Sequence, residues 1–208
     1  MPYAEVNGAR LYYETYGQGK ALVLSHGGWT DTTHWQPNLL ALSRHWRVVV
    51  YDRRGCSRST APGDSHSYQV WRDDLFGLMQ HLELGSAYVG GCSYGAMLSL
   101  ELALAYPQMA AALILESGTC EGLSGSGPGL VPFPRRTDDL SKIRVPTLII
   151  QGELDPYFPP SVAETMQRGI AGSELVIVPG TGHVPHLEEP ALFNRVVEGF
   201  LLRLEGAA

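Results

Sequence analysis

The chain has 208 residues, 44% hydrophobic and 17% charged, enough to bury one sizeable core within the size range of a single domain. A formal net charge of -6 with scattered basic residues leaves no footprint for nucleic acid or an anionic membrane, so neither is expected as a partner. No apolar run has the length of a membrane span, no basic-then-apolar leader is visible, and Cys56, Cys92 and Cys120 form no C-x-x-C pair. A soluble, cytoplasmic chain is expected, with three incidental or buried thiols, no disulfide framework and no zinc site.

Arg10 to Tyr16 alternates like a strand of an edge hairpin, and Ala21 to Ser25 is continuously apolar like a buried strand. Helical spacing covers Thr32 to Ser43, and Arg47 to Tyr51 repeats the buried strand type. From Tyr68 to Leu84 the spacing predicts a helix with Val70, Asp74, Leu75, Leu78, Met79 and Leu82 on one stripe. Strand Ala87 to Gly90, helix Tyr94 to Tyr106 and strand Ala111 to Leu115 follow. The alternation then breaks: Ser117 to Pro134 carries Gly at 118, 122, 125, 127 and 129 and Pro at 128, 132 and 134, which excludes a stable helix or a central strand. Loops of that length inside a compact domain are functional or mobile. Strand Pro146 to Ile150, helix Pro160 to Ile170, strand Glu174 to Val178 and helix Pro190 to Leu204 complete the chain, Pro190 fitting the first turn of the last helix. The pattern predicts an α/β fold: one domain over 1–208, its mostly parallel central sheet covered by helices on both faces, with antiparallel pairing at the N-terminal edge.

In open α/β sheets ligands bind outside the carboxyl ends of the strands. Four sets of polar residues fall there: His26-Gly27-Gly28-Trp29, Ser93, Glu153 with Asp155, and His183. Gly91-Cys92-Ser93-Tyr94-Gly95 is a G-x-S-x-G sequence at a strand-to-helix junction. In such a nucleophile elbow the serine occupies a strained turn, and the flanking glycines let strand and helix approach without Cβ clashes. A serine hydroxyl needs a base within hydrogen-bond reach, and the base needs an acceptor that holds its tautomer. His183 and Asp155 can supply these, and the chain order Ser93, Asp155, His183 is the order expected with this elbow.

Taken together the motifs resemble those of the α/β-hydrolase superfamily over nearly the whole chain. His26-Gly27-Gly28-Trp29 is similar to its oxyanion loop, Tyr51 to Ser59 (YDRRGCSRS) to its D-x-R-G-x-G-x-S segment, Gly152-Glu153-Leu154-Asp155-Pro156 to its acid turn, and Gly180-Thr181-Gly182-His183 to its histidine loop. Ser57 stands where many members have Gly. The resemblance implies acyl transfer, with Ser93 as nucleophile, His183 as base and Asp155 orienting it. It also implies an oxyanion hole of backbone N–H groups from Tyr94 and from Gly28 or Trp29. No metal or cofactor is implied. Many members insert helices between the strands that end here near Leu115 and begin at Pro146; the 117–137 interval holds a Gly/Ser/Pro-rich loop in place of that cap.

Alternatives accompany several positions. His186 competes with His183 as base, or is a hydrogen-bonded surface histidine or half of a metal pair, and Glu153, Glu116 and Glu121 compete with Asp155. His34, His45, His66 and His81 read as exposed or locally bonded. Trp29 and Tyr157 are the expected pocket aromatics, with Trp35, Tyr94 and Phe158 more plausibly core. The expected function is hydrolysis of small to medium carboxylic esters by a lidless enzyme acting on a small-molecule substrate, with oligomeric state open. Proline iminopeptidase-like, perhydrolase and carbon–carbon bond hydrolase chemistry use the same triad, and a small-ligand receptor on a hydrolase scaffold is the alternative of another class.

Overall fold

Strands that are apolar at successive positions must be covered on both faces, and the chain supplies helices for both. The computed structural model describes residues 3–28, 30–61, 66–124 and 131–206. Its strands are β1 (Tyr3–Val6), β2 (Ala9–Tyr16), β3 (Ala21–Ser25), β4 (Arg47–Tyr51), β5 (Ala87–Cys92), β6 (Ala110–Glu116), β7 (Thr147–Gly152) and β8 (Glu174–Val178). They form one eight-stranded sheet in the order β1-β2-β4-β3-β5-β6-β7-β8. Strand β2 pairs antiparallel with β1 and β4, and every pairing from β4 to β8 is parallel. Asn7-Gly8, with φ of 48° and 75°, closes the first hairpin; this Asn-Gly signal places β1, a strand the apolar pattern alone does not mark.

The helices are α1 (Gln36–Leu42), α2 (Tyr68–His81), α3 (Tyr94–Ala105), α4 (Pro160–Gly169), α5 (Pro185–Glu188) and α6 (Pro190–Gly206). The helix expected from Thr32 begins as a 3-10 turn over Thr32–Trp35, capped by Asp31, before α1. Leu39 and Leu42 of α1 pack with Phe193, Val197, Phe200 and Leu201 of α6 on one face of the sheet. Trp71, Leu75, Leu78 and Met79 of α2, with Met97 of α3 and Met166 of α4, cover the other. Each such burial contributes about 1.5–3 kcal/mol relative to an exposed side chain. Trp71 enters the core and Val70 and Leu82 stay half-buried, a one-residue rotation of the predicted stripe. Asp74 on that buried face is neutralised by Arg54, whose Nε and Nη2 both donate to it at 2.7 Å.

Ser57 takes φ 45°, the left-handed conformation that a glycine would adopt without a Cβ penalty, so the departure from the family pattern leaves the turn in place. Between β6 and β7 no helical cap is present among the described residues. Leu123 and Phe133 exchange two backbone hydrogen bonds of 2.9 and 3.0 Å, and a 3-10 turn over Thr137–Lys142 leads into β7. Residues 125–130 of the 117–137 loop lie outside the described residues. Among those described, no helix is long and apolar enough to cross a membrane.

Candidate active site

Because β3, β5, β7 and β8 run parallel, their C-terminal ends deliver Gly27 and Gly28, Ser93, Asp155 and His183 to one edge of the sheet. The turn after β5 is tight. A Cβ on Gly91 would overlap the backbone of Gly95 and Ser25, and one on Gly95 would overlap Ser25, so both positions require hydrogen. Ser93 between them adopts φ 55° and ψ -115°, with its N–H donating to the Glu116 carbonyl at 2.8 Å. A non-glycine residue held there costs about 1–3 kcal/mol, which the surrounding packing must offset. The strain leaves Ser93 half-exposed at the floor of a cavity while its neighbours Cys92 and Tyr94 are buried.

Asp155, its side chain fully buried, accepts from His183 Nδ1 at 2.7 Å and Gln151 Nε2 at 2.8 Å on Oδ2. Its Oδ1 accepts the N–H groups of Tyr157 and Phe158 at 2.8 and 3.1 Å. Burial pushes this carboxyl up, but the His183 bond and the two backbone donors outweigh it and hold it below the usual carboxylate range. An ionised Asp155 fixes the proton of His183 on Nδ1 and leaves Nε2 for the cavity side. Among the described residues no hydrogen bond joins Ser93 to His183; in ligand-free sites such bonds are often long.

Glu153, the near alternative to Asp155, is occupied elsewhere: it accepts the Gly180 N–H at 2.9 Å and so braces the histidine loop. Glu188 braces the same loop from the other side, accepting from Gly182 at 2.7 Å and Val184 at 3.1 Å. Glu121 is exposed.

His186 and Glu116 form a second histidine–carboxylate pair, wholly buried. His186 donates its backbone N–H to Glu116 Oε1 at 2.8 Å, and Nδ1 lies 2.9 Å from the same oxygen. Its Nε2 lies 3.1 Å from the His34 carbonyl, which can only accept, so that nitrogen carries a proton. Both ring nitrogens are thus committed, and neither lines the cavity. Donor atoms of Cys92, Glu116 and His186 lie within 4.8 Å of one another, a spacing a metal ion tolerates. Burial, with Glu116 beside it, pushes the Cys92 thiol far up, and its sulfur donates to the His183 carbonyl at 3.8 Å.

The cavity has a volume of about 460 Å³, and its described lining, including Gly28, His34, Tyr94, Leu123, Tyr157 and Phe158, contains no Asp, Glu, Lys or Arg. Tyr157, expected in the pocket, is there, with its ring 4.8 Å from that of His183. Trp35 is core and packs on His186 at 4.3 Å, while Tyr94 and Phe158 line the cavity. Trp29, expected in both the pocket and the oxyanion hole, lies outside the described residues. Gly28 borders the Tyr94 ring, and the N–H of Tyr94, in the first turn of α3, has no intrahelical acceptor.

His45, His66 and His81 are exposed as expected, but His34 is buried and lines the cavity, its Nδ1 accepting the Gly27 N–H at 3.5 Å. Burial, then the neighbouring His186 and Arg53, lower its pKa to about 3, so it is a neutral wall. Gln151, the last residue but one of β7, is a second member that the sequence pattern hides, because in a buried strand it reads as an interruption rather than as a partner of Asp155.

Two family models cover most of the chain: one described as the alpha/beta hydrolase fold matches residues 20–124, and one described as the alpha/beta hydrolase family matches 120–196. They meet at the loop where β6 leads away from the sheet. A RutD protein of Azorhizobium caulinodans, named provisionally as a carbamate hydrolase, is 24% identical over 259 residues, covering 96% of this chain and 98% of the relative. That alignment is longer than the chain itself, so the relative carries additional residues. A second RutD protein, from Serratia proteamaculans and carrying the same provisional name, is 35% identical over 113 residues, and there the chain spans 42% of the relative's length. Among solved structures, a thermophilic esterase from Thermogutta terrifontis superposes with a TM-score of 0.88 at 24% identity, covering 97% of each chain. At that identity the likeness establishes the fold alone.

Proposed function

The chain belongs to the α/β-hydrolase family, and from that premise we propose that it is a serine hydrolase of uncharged carboxylic esters of small to medium size, working through an acyl-enzyme. The observation that carries this reading is the convergence of Ser93, His183 and its Asp155 partner on one cavity whose described lining holds no Asp, Glu, Lys or Arg.

The proposed cycle begins with Ser93 Oγ attacking the ester carbonyl as its proton passes to His183 Nε2, while Asp155 stabilises the imidazolium through Nδ1. The carbonyl oxygen becomes an oxyanion held by the Tyr94 and Gly28 N–H groups, and losing one such donor costs about 3 kcal/mol. The tetrahedral species collapses, the C–O bond to the alcohol breaks, and His183 returns its proton to the departing oxygen. Water then enters, gives its proton to His183, attacks the acyl carbonyl and releases the acid as Ser93 recovers its proton.

A carbamate ester would fit the same steps, since its carbonyl is attacked in the same way. A carbamate carrying a free anionic group would meet no Lys or Arg in the described lining. With no cap among the described residues, the site accepts bulky acyl or alcohol groups that a roof would exclude. The test is turnover of p-nitrophenyl acetate, butyrate and decanoate and of a bulky aryl ester by the native chain and Ser93→Ala. Broad turnover lost in the variant is expected; equal turnover by both, or none by either, overturns the reading, and strict preference for one small ester overturns the open-site part of it.

A further inference from the structure

Arg53, which none of the proposed steps uses, is 2% exposed behind the oxyanion loop. The other cations of its segment are paired: Arg54 with Asp74, and Arg58 with Asp52 and Glu14. Arg53 has no carboxylate partner among the described residues, and its Nε and Nη1 are buried with no hydrogen-bond acceptor. The guanidinium lies 4.7 Å from the Trp71 ring centre and 5.8 Å from that of Tyr94. Cys56 is its other neighbour, and burial raises that thiol, so it supplies no counter-charge. Burial also works against the charge on Arg53, but a guanidinium's intrinsic basicity keeps it protonated. A buried cation without a counter-ion costs several kcal/mol, which the ring faces and its hydrogen bond offset in part.

Its strong acceptor among the described residues lies on the oxyanion loop. Arg53 Nη2 donates to the Gly27 carbonyl at 2.6 Å. That carbonyl belongs to the same peptide unit as the Gly28 N–H. His26 holds the same oxygen with Nδ1 at 2.8 Å, and its Nε2 accepts the Arg53 backbone N–H at 3.0 Å, which fixes the tautomer that donates to Gly27. Thr30 Oγ1 adds a longer bond of 3.4 Å. A cation on the oxygen of a peptide withdraws electrons from it, strengthens its N–H as a donor and fixes its plane.

We propose that Arg53 is a positioning and polarising residue for oxyanion stabilisation: through the Gly27 carbonyl it aims and sharpens the Gly28 N–H, and it places a positive charge, without a carboxylate partner among the described residues, beside the elbow where negative charge develops. This rests on the ester-hydrolase reading. The effect is confined to the transition state, because the ground-state carbonyl carries little charge.

The test compares Arg53→Gln, Arg53→Met and Arg53→Lys with the native chain on p-nitrophenyl butyrate, with phenylboronic acid as a tetrahedral mimic and folded fraction measured by thermal melt. Arg53→Gln keeps a donor for Gly27 without charge, and Arg53→Lys keeps charge without the planar fork. Expected is a kcat about tenfold to a hundredfold lower in Gln and Met with KM within about twofold, phenylboronic acid affinity falling by the same factor as kcat/KM, and recovery of most of kcat in Lys. Should Met fail to fold, the Gln and Lys pair decides alone. The role for Arg53 is overturned if Gln keeps native kcat and inhibitor affinity, or if all variants lose kcat and KM together with no recovery in Lys. A native chain that neither turns over the ester nor binds the boronic acid overturns the ester-hydrolase reading along with it, whereas an active native chain with unaffected variants overturns only the Arg53 role.

Discussion

Two histidine–carboxylate pairs stand three residues apart in the same segment, and their surroundings separate them more than their chemistry does. His183 with Asp155 is partly exposed on the cavity side, its acceptor saturated by four donors and its second nitrogen uncommitted. His186 with Glu116 is sealed, with both ring nitrogens bonded and its carboxylate also holding the backbone. A base must be able to change its proton at the surface where substrate arrives, and only the first pair has that freedom. The second pair joins pieces: Glu116 receives the Ser93 N–H on its carbonyl and His186 on its carboxylate, while His186 reaches the carbonyl of His34, whose ring meets the Gly27 N–H.

The largest effect that would break this contrast is in turnover. His183→Ala should lower kcat/KM by about 10⁵-fold with the melting temperature nearly unchanged, and Asp155→Asn by about 10⁴-fold because the wrong tautomer is then favoured. Stopped assays and thermal melts on the same preparations check both. Conversely His186→Gln should cost about 3–5 kcal/mol of stability, roughly 10 °C in Tm, because it breaks a buried pair. Its folded fraction should keep most of the native kcat; a loss as deep as that of His183→Ala would erase the distinction. Combining it with Glu116→Gln should cost less than the sum of the singles by about 1–3 kcal/mol, measured by urea unfolding.

A smaller effect concerns pH. His34 is lowered to about 3 and His26 well below its ordinary value, in both cases chiefly by burial. Each therefore binds a proton more readily unfolded, near pH 6.5, so the stability they share is full above that pH and declines as pH falls toward their folded values. The slope is at most about 1.4 kcal/mol per pH unit for each histidine. Urea midpoints between pH 4 and 7 should show it, and His34→Gln should remove one histidine's share. Smallest of all, Tyr157→Ala should raise KM for an aryl ester about threefold with kcat little altered, since this exposed ring borders His183 without touching the Asp155 bond.

What was legible in the sequence was local. The elbow, the acid turn and the histidine loop each announce themselves within about five residues through glycine, proline and the order of chemistry-bearing side chains, and the sheet follows from apolar runs of one strand's length. Long-range satisfaction was not legible. Glu116 and His186 are 70 positions apart, and nothing periodic links them. Gln151 and Arg53 are polar residues at positions that apolar pattern marks as buried or as loop, so their partners appear only once the chain is folded. His34 falls in a segment whose helical spacing masks the fact that its ring turns toward the cavity.

The reciprocal bridge between Leu123 and Phe133 bears on how such a chain changes over time. The two ends of the crossing are clasped to each other, and Arg136 just beyond is held by two bonds of 2.6 and 2.9 Å to Glu101 on α3, so their spacing is fixed against the body of the fold. Enlarging a loop with fixed ends costs only about 0.6 kcal/mol per doubling. The stem is therefore a fixed pair of ends beside the cavity: a helical module grafted between them would change which molecules reach Ser93 at small cost to the sheet.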